Sequence, residues 1–164
     1  MKPFETSRVF DAPRERVWAA WTQAEHMKNW WGPKGFKVKK LELDLRPGGR
    51  LLYCLVAPDG NEMWGKMAYR EIKAPEKLVF INSFSDAQGG TTRHPYNAGW
   101  PLEMMSTITF EALGPKQTKV SIQWLPAPGS TEAEMKNFDE GRESMKMGWG
   151  GTMDQLTDYL VSSK

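Results

Sequence analysis

The sequence has little of what metal centres, disulfide frameworks and membrane segments require. It contains one cysteine, Cys54, and two histidines, His26 and His94. A single cysteine excludes an internal disulfide, and the three side chains lack metal-ligand spacing. No apolar run approaches the ~20 residues of a membrane-spanning helix, and the first residues lack the apolar core of a signal peptide. We therefore expect a cytoplasmic protein without a metal, a cofactor or a membrane span.

Charge of one sign is also scarce. The 164 residues include 22 Lys and Arg against 20 Asp and Glu, which leaves a net charge of +2. So small an excess creates no strong field to attract nucleic acid. The sequence also lacks a nucleophile elbow, a phosphate-binding loop and a Cys–His signature. We expect no nucleic-acid partner and none of the common hydrolytic sites.

Tryptophan and methionine, by contrast, are abundant. The chain has 8 Trp and 10 Met, and 40% of its residues are hydrophobic, which predicts one domain over residues 1–164. Tryptophan supplies a large apolar face with one donor, and methionine fills irregular space. Two interpretations are open: a Trp-rich core, or a cavity wall that re-packs around ligands.

The hydrophobic pattern predicts one strand, two short helices, about six antiparallel strands and a long C-terminal helix. Pro13 marks the start of the first helix, and the second spans residues 24–30. The predicted strands cover residues 5–10, 36–45, 49–57, 62–72, 78–84, 104–110 and 120–124. Asp59-Gly60 predicts a hairpin turn, and Gly65 predicts a bulge or the close approach of another group.

The segment 131–164 is predicted to form one long helix. Its apolar residues recur at intervals near 3.6: Met135, Phe138, Met145, Trp149, Leu156 and Leu160. Thr131 and Glu134 predict a capping box at its start. Its internal glycines each cost roughly 1 kcal/mol relative to alanine, so either a break near Gly141 or a close approach to the sheet or a ligand is expected. Lying across a curved sheet, such a helix would enclose a cavity.

Several motifs occur in an order that resembles one protein family. They are Ala12-Pro13, Val17-Trp18, Trp30-Trp31-Gly32-Pro33, Asp44-Leu45-Arg46-Pro47-Gly48-Gly49, Asp59-Gly60, Gly65 and Gly148-Trp149. From about residue 6 to residue 160 the chain is similar to the activator of Hsp90 ATPase homologue 1-like family, in the START/Bet v 1-like (SRPBCC) superfamily. The resemblance implies an α+β helix-grip fold: a curved antiparallel sheet of about six to seven strands around a long C-terminal helix, with two short helices after the first strand.

The resemblance also implies a function. We expect a non-catalytic binding protein for a small hydrophobic or aromatic molecule, held in a cavity between sheet and C-terminal helix. One alternative is a cyclase- or hydrolase-like enzyme acting on such a ligand. Another is a chaperone-associated protein with Hsp90 as its partner. Either a monomer or a homodimer fits the sequence, and no acid–base pair can be assigned from spacing.

The candidate binding residues come from the strands, the C-terminal helix and a long polar loop, residues 85–101. A loop of this length is usually functional, so we expect Trp100 to cover the cavity and Arg93 and His94 to face an acidic ligand group. Asn82 lies in phase with Phe80 in an apolar strand and would orient a ligand or bond a backbone group. The full set is Trp64, Phe80, Asn82, Arg93, His94, Trp100, Met104, Trp124, Met145 and Trp149.

Three further side chains with reactive groups have simpler interpretations. His26, in the second helix, is expected at the surface or as a capping group. Cys54 is expected to be a small buried hydrophobe in a strand. Glu103 follows the long loop and would be the best acid if the protein were an enzyme.

Overall fold

The computed structural model describes residues 1–163. Its strands are β1 (Phe4–Phe10), β2 (Lys37–Leu43), β3 (Arg50–Val56), β4 (Glu62–Lys73), β5 (Lys77–Ser85), β6 (Thr91–Thr92), β7 (Met104–Gly114) and β8 (Gln117–Pro126). Its helices are α1 (Arg14–Thr22), α2 (Ala24–Met27), α3 (Glu132–Glu140) and α4 (Arg142–Ser162). All strand pairs are antiparallel, in the order β1-β8-β7-β5-β4-β3-β2, with β6 on β5. The predicted helix-grip fold is confirmed.

The hairpin between β3 and β4 sets which side chains face the interior. Gly60 has φ +88°, as the predicted turn requires. The turn places Tyr53 opposite Gly65. A Cβ on Gly65 would lie 2.4 Å from Oη of Tyr53, so the tyrosine ring lies directly over the glycine. The predicted close approach is therefore right, whereas the predicted bulge is wrong, because pairing stays regular at Gly65.

The bulges lie elsewhere in the sheet. The pairing register shifts between Tyr69 and Glu71, between Val38 and Lys40, and between Ala112 and Gly114. Each shift adds a residue on one strand, which bends the strand and increases its twist. These positions supply the curvature that lets the sheet face the C-terminal helix.

Five of the eight tryptophans form a connected cluster: Trp21, Trp30, Trp31, Trp124 and Trp149. Trp21 lies 5.0 Å from Trp30 and 5.9 Å from Trp31 between ring centroids, both in edge-to-face contact. Trp149 in α4 continues the cluster, 6.0 Å from Trp31 and 5.3 Å from Trp124. Both interpretations of the Trp content therefore hold in part. Trp21 and Trp30 are buried in the core, and the other three also line the cavity described below.

The predicted C-terminal helix is two helices. Gly141 separates α3 from α4, and α4 has 21 residues, which at 1.5 Å per residue gives about 31 Å. The prediction of one helix from residue 131 to Lys164 is thus wrong in its continuity, and Lys164 lies outside the described residues. The predicted capping box of Thr131 and Glu134 is present at the start of α3.

Helix α4 is fastened to the segment that follows α2. Nε2 of Gln155 donates to the backbone oxygens of Gly32 (2.8 Å) and Trp30 (3.1 Å). Nδ1 of His26 lies 2.6 Å from the hydroxyl of Tyr159. The prediction of a surface or capping role for His26 is therefore wrong, because the imidazole joins α2 to α4. None of the helices within residues 1–163 combines the length and apolar character needed to cross a membrane.

Candidate ligand-binding cavity

A cavity of about 470 Å³ lies between the sheet and α4. The sheet residues that line it are Tyr53, Leu55, Met63, Met67, Phe80, Asn82, Ser83, Phe84, Met104 and Trp124. The helical residues that line it include Asn137, Glu140, Ser144, Met145, Gly148, Trp149 and Thr152. Its size and its mainly apolar wall with a few polar groups are typical of a small-molecule site.

The structure brings together most of the side chains selected from the sequence. Those that line the cavity are Phe80, Asn82, His94, Trp100, Met104, Trp124, Met145 and Trp149. Alternation along β5 places Phe80 and Asn82 on the same face as Phe84. On α4, Met145 and Trp149 are one turn apart and therefore share a face. Trp64 and Arg93 are the two that do not line the cavity.

Trp64 lies on the outer face of the sheet. It alternates with Met63, Gly65 and Met67, whose face lines the cavity. The ammonium group of Lys40 lies 5.7 Å from the centre of the Trp64 ring, a cation–π contact outside the cavity. The predicted position of Trp64 in the cavity wall does not fit the structure. Large apolar side chains occur at both the inward-facing and the outward-facing positions of β4, so their alternation does not show which set faces the cavity.

Arg93 forms an ion pair instead of facing the cavity. Its Nη1 lies 2.6 Å from Oε2 of Glu134 in α3 and 3.4 Å from the backbone oxygen of Trp100. The expectation that Arg93 faces an acidic ligand group does not fit this arrangement, because the guanidinium already has a carboxylate partner.

Glu134 joins the long loop to the start of α3. Its Oε1 accepts from the backbone N–H of Thr131 at 2.9 Å, and its Oε2 accepts from that of Leu102 at 2.9 Å. The hydrogen bond from Thr131, aided by Arg93 and Leu102, lowers the pKa of this carboxyl from 4.5 to about 2. Glu134 is therefore ionised and holds together both the capping box and the end of the loop.

The same loop closes one side of the cavity mouth. Asn97 and Asn137 exchange amide hydrogen bonds of 3.0 and 3.3 Å. Trp100 packs on Phe138 with 6.1 Å between ring centroids. A Cβ on Gly141 would meet the Trp100 ring at 2.7 Å, so the break between α3 and α4 receives the indole. Trp100 is among the residues that line the cavity, and its role as a cover stays a prediction.

His94 lies in the wall as a neutral group. Its ring is 4.7 Å from that of Phe84, and its Nδ1 accepts a hydrogen bond from the backbone N–H of Tyr96 at 3.0 Å. Burial lowers the pKa of His94. Because Nδ1 is an acceptor, the proton of the neutral ring is on Nε2.

Asn82 is a polar residue of β5 that lines the cavity. The Ser106 hydroxyl donates to Oδ1 of Asn82, and Ser106 is completely buried. This bond orients the carboxamide and leaves its NH₂ group on the cavity side, since Asn82 itself lines the cavity. Of the two roles considered from the sequence, the bond to a neighbour is therefore present, although it goes to a side chain and not to backbone.

The wall also holds hydrogen-bond donors on aromatic side chains. Burial raises the pKa of Tyr53 to about 12, so its hydroxyl keeps its proton. The indole N–H groups of Trp124 and Trp149 are buried and meet no acceptor among residues 1–163. The indole N–H of Trp31 points to the Tyr53 hydroxyl and partly offsets the effect of burial on its pKa. Buried donors without acceptors are uncommon in folded proteins, which makes Trp124 and Trp149 notable.

The groups considered for catalysis or metal binding do not gather here. Glu103 and Cys54 lie outside the cavity wall, and Cys54 is buried as expected. Among the described residues, no three His, Cys, Asp or Glu side chains are grouped as metal ligands.

The sequence missed several lining residues that its own periodicity could have identified. Met63 and Met67 alternate along β4, in phase with Gly65. Gly148 and Thr152 follow Met145 at spacings of three and seven, which is one face of α4. Asn97 and Asn137 have no such signal, because their pairing joins a loop to a helix 40 residues away.

Comparison with known proteins places this fold among solved relatives. A protein from Arthrobacter aurescens is 25% identical with a TM-score of 0.76, covering 98% of this chain and 86% of its own. A protein from Nitrosomonas europaea is 22% identical with a TM-score of 0.75, covering 98% and 95%. An AHSA1 protein from Silicibacter pomeroyi is 17% identical with a TM-score of 0.75, covering 99% and 100%.

Sequence comparison identifies the family. No curated protein sequence matches the chain. The profile described as "Activator of Hsp90 ATPase homolog 1-like protein" matches residues 11–161, which is nearly the whole chain. The chain therefore belongs to the activator of Hsp90 ATPase homologue 1-like family.

Proposed function

We propose that this protein is a non-catalytic binding protein for a small hydrophobic or aromatic molecule. The observation that carries the proposal is the cavity of about 470 Å³ between the sheet and α4. Removal of apolar ligand surface from water would supply the affinity, at roughly 25 cal/mol per Å². The few polar groups in the wall would fix the orientation of the ligand.

The composition of the wall supports a binding role for ligands of more than one shape. Four methionines line the cavity: Met63, Met67, Met104 and Met145. Their unbranched thioether side chains adjust to irregular surfaces at little cost. The aromatic rings of Trp124 and Trp149 lie beside them and offer flat faces for an aromatic ligand.

The cavity also has an opening through which a ligand could enter. Ser144 and Gly148 line it and are exposed on α4, so this side of the helix borders solvent. Trp100 also lines the cavity, and we expect its indole to cover another part of the mouth.

Native mass spectrometry and thermal unfolding test the proposal. Protein purified without added ligand should carry, or take up from a panel of flavonoids, sterols and fatty acids, one small molecule per chain. A compound present at 100 times its Kd should add about 2.7 kcal/mol to the free energy of unfolding. For a domain of this size that corresponds to roughly 5–10 °C in Tm. No mass adduct and no Tm shift across the panel would contradict the proposal.

Two glycines of α4 provide a matched pair of variants. A Cβ on Gly148 or on Gly150 would meet nothing within 4 Å, so both positions accept a side chain. Only Gly148 lines the cavity. Gly148→Leu should therefore block ligand uptake, whereas Gly150→Leu should bind like the parent. Equal binding by the two variants would place the ligand outside the cavity.

A further inference from the structure

The charges around the cavity distinguish between classes of ligand. Within the described residues, no lysine or arginine side chain lines the cavity, and its only carboxylate is Glu140 at the exposed rim. The nearest arginine of the loop, Arg93, is paired with Glu134. A ligand carboxylate in this cavity would lose its hydration without gaining a positive partner, which is strongly unfavourable.

Asn82 and His94, two polar residues of the wall, offer a ligand hydrogen-bond donors rather than acceptors. Ser106 occupies the oxygen of Asn82, so the group that Asn82 offers is its NH₂ donor. The Tyr96 N–H occupies Nδ1 of His94, so the proton of His94 is on Nε2. Both residues line the cavity, and the acceptor atoms of both are already used inside the protein.

A separate observation points in the same direction. Trp124 and Trp149 have buried indole N–H groups that meet no acceptor among residues 1–163. Both indoles line the cavity. The wall thus holds hydrogen-bond donors without a partner in the protein and no positively charged side chain, and a neutral acceptor is the ligand group that fits such a set.

We propose that the cavity selects neutral aromatic ligands that carry a carbonyl-type hydrogen-bond acceptor, as in an aryl ketone or a quinone, and that it discriminates against carboxylates. Asn82 is the residue that binds the carbonyl oxygen, and Ser106 is the residue that positions Asn82. This specificity rests on the proposed binding function, because it concerns the same cavity.

Three probes of matched size test the specificity. They share a phenanthrene ring and carry an acetyl, an ethyl or a carboxylate group at the same ring position. Their Kd values for the parent protein can be measured at pH 7 by quenching of tryptophan fluorescence and by calorimetry. The ketone should bind about tenfold more tightly than the ethyl compound, since one net hydrogen bond separates them. The carboxylate should bind at least about tenfold more weakly than the ketone.

Two variants assign the effect to Asn82. Asn82→Leu alone would leave the buried Ser106 hydroxyl without its acceptor, so it is combined with Ser106→Ala, which removes both polar partners. In this double variant the ketone and the ethyl compound should bind equally. Ser106→Ala alone keeps the amide but removes the hydroxyl that orients it, so the preference for the ketone should become smaller without disappearing, and an unchanged preference would show that Ser106 does not position Asn82.

The outcomes separate this specificity from the binding function. Binding of all three probes with equal Kd, lost in Gly148→Leu but not in Gly150→Leu, would overturn the specificity and leave the binding function intact. Tighter binding of the carboxylate, or an unchanged ketone preference in the double variant, would also overturn it. Failure of all three probes to bind the parent protein would overturn the specificity, and only failure of the whole panel of flavonoids, sterols and fatty acids as well would overturn the binding function.

Discussion

Trp100 occupies the space where a side chain at Gly141 would lie: a Cβ built there would be 2.7 Å from Cζ3 of the indole. The same ring packs on Phe138 in α3. The break between the two C-terminal helices and the covering of the cavity mouth are therefore parts of one arrangement.

Gly141→Ala should destabilise the protein. The added methyl group overlaps the Trp100 ring, and overpacking of this kind costs about 1–3 kcal/mol. Urea unfolding measures the change in the free energy of unfolding. In a Trp100→Ala background the same substitution should cost nothing, because the overlap is gone, and the double-mutant cycle reports the coupling. A cost that is the same in both backgrounds would show that Gly141 acts through its backbone alone.

Trp100→Ala should weaken ligand binding by on the order of 1–3 kcal/mol, since the indole lines the cavity and would lose its contact with the ligand. Calorimetry with the tightest member of the ligand panel provides the measurement. Trp64→Ala is the matched control, because Trp64 lies on the outer face of the sheet against Lys40. A larger loss of affinity in Trp64→Ala than in Trp100→Ala would contradict the position of the site.

Glu134 should make stability depend on pH in the acid range. The pKa of its carboxyl is about 2 in the folded protein against 4.5 ordinarily. A lowered pKa stabilises the folded state fully above about pH 4.5, and this contribution disappears as the pH falls towards 2. Glu134→Gln should cost about 1–2 kcal/mol at neutral pH, and its difference from the parent should shrink between pH 4.5 and pH 2.

The control for this pH dependence lies in the same helical turn. Glu132 is exposed and lies two residues before Glu134 in the first turn of α3. Glu132→Gln should therefore change the free energy of unfolding less than Glu134→Gln does at neutral pH. If the free energies of unfolding of the parent and Glu134→Gln differed by the same amount from pH 4.5 to pH 2, the ion pair and capping bonds assigned to Glu134 would be contradicted.

Three glycines of α4 should respond differently to the same substitution. Gly148→Ala and Gly150→Ala should each stabilise the protein by up to about 1 kcal/mol, since alanine favours helix and neither Cβ meets a neighbour. Gly151→Ala should gain less or lose stability, because its Cβ would lie 3.3 Å from the backbone nitrogen of Lys34. Thermal unfolding without ligand provides the comparison. Equal shifts in Tm for all three variants would contradict the close approach of α4 to the backbone at Lys34.

Much of the fold could be predicted from local features of the sequence. The turn at Asp59-Gly60, the capping box of Thr131 and Glu134 and the alternation along β7 and β8 each depend on neighbouring residues. The break at Gly141 was one of two expectations for the same glycines. The break is confirmed, whereas the close approach at Gly141 is to Trp100 of the long loop and not to the sheet or a ligand.

The predictions that failed concern side chains whose contacts are with residues distant in the sequence. Whether Met63 or Trp64 faces inward depends on which side of the sheet α4 covers, and β4 carries apolar residues in both phases. Arg93 was expected to meet a ligand because its partner Glu134 lies 41 residues further along the chain. A charged side chain in a loop gives no sign of whether the folded protein already neutralises it.

Methionine-methyl NMR tests the central claim most directly, because the ten methionines include both cavity-lining and exposed residues. With ¹³C-methyl labelling, titration of the protein with a ligand from the panel should shift the signals of Met63, Met67, Met104 and Met145 along one saturable curve. The signal of Met147, which is 77% exposed on α4, should stay unchanged. Shifts at Met147 without shifts at the four cavity methionines would show that the ligand binds the surface and would contradict the account.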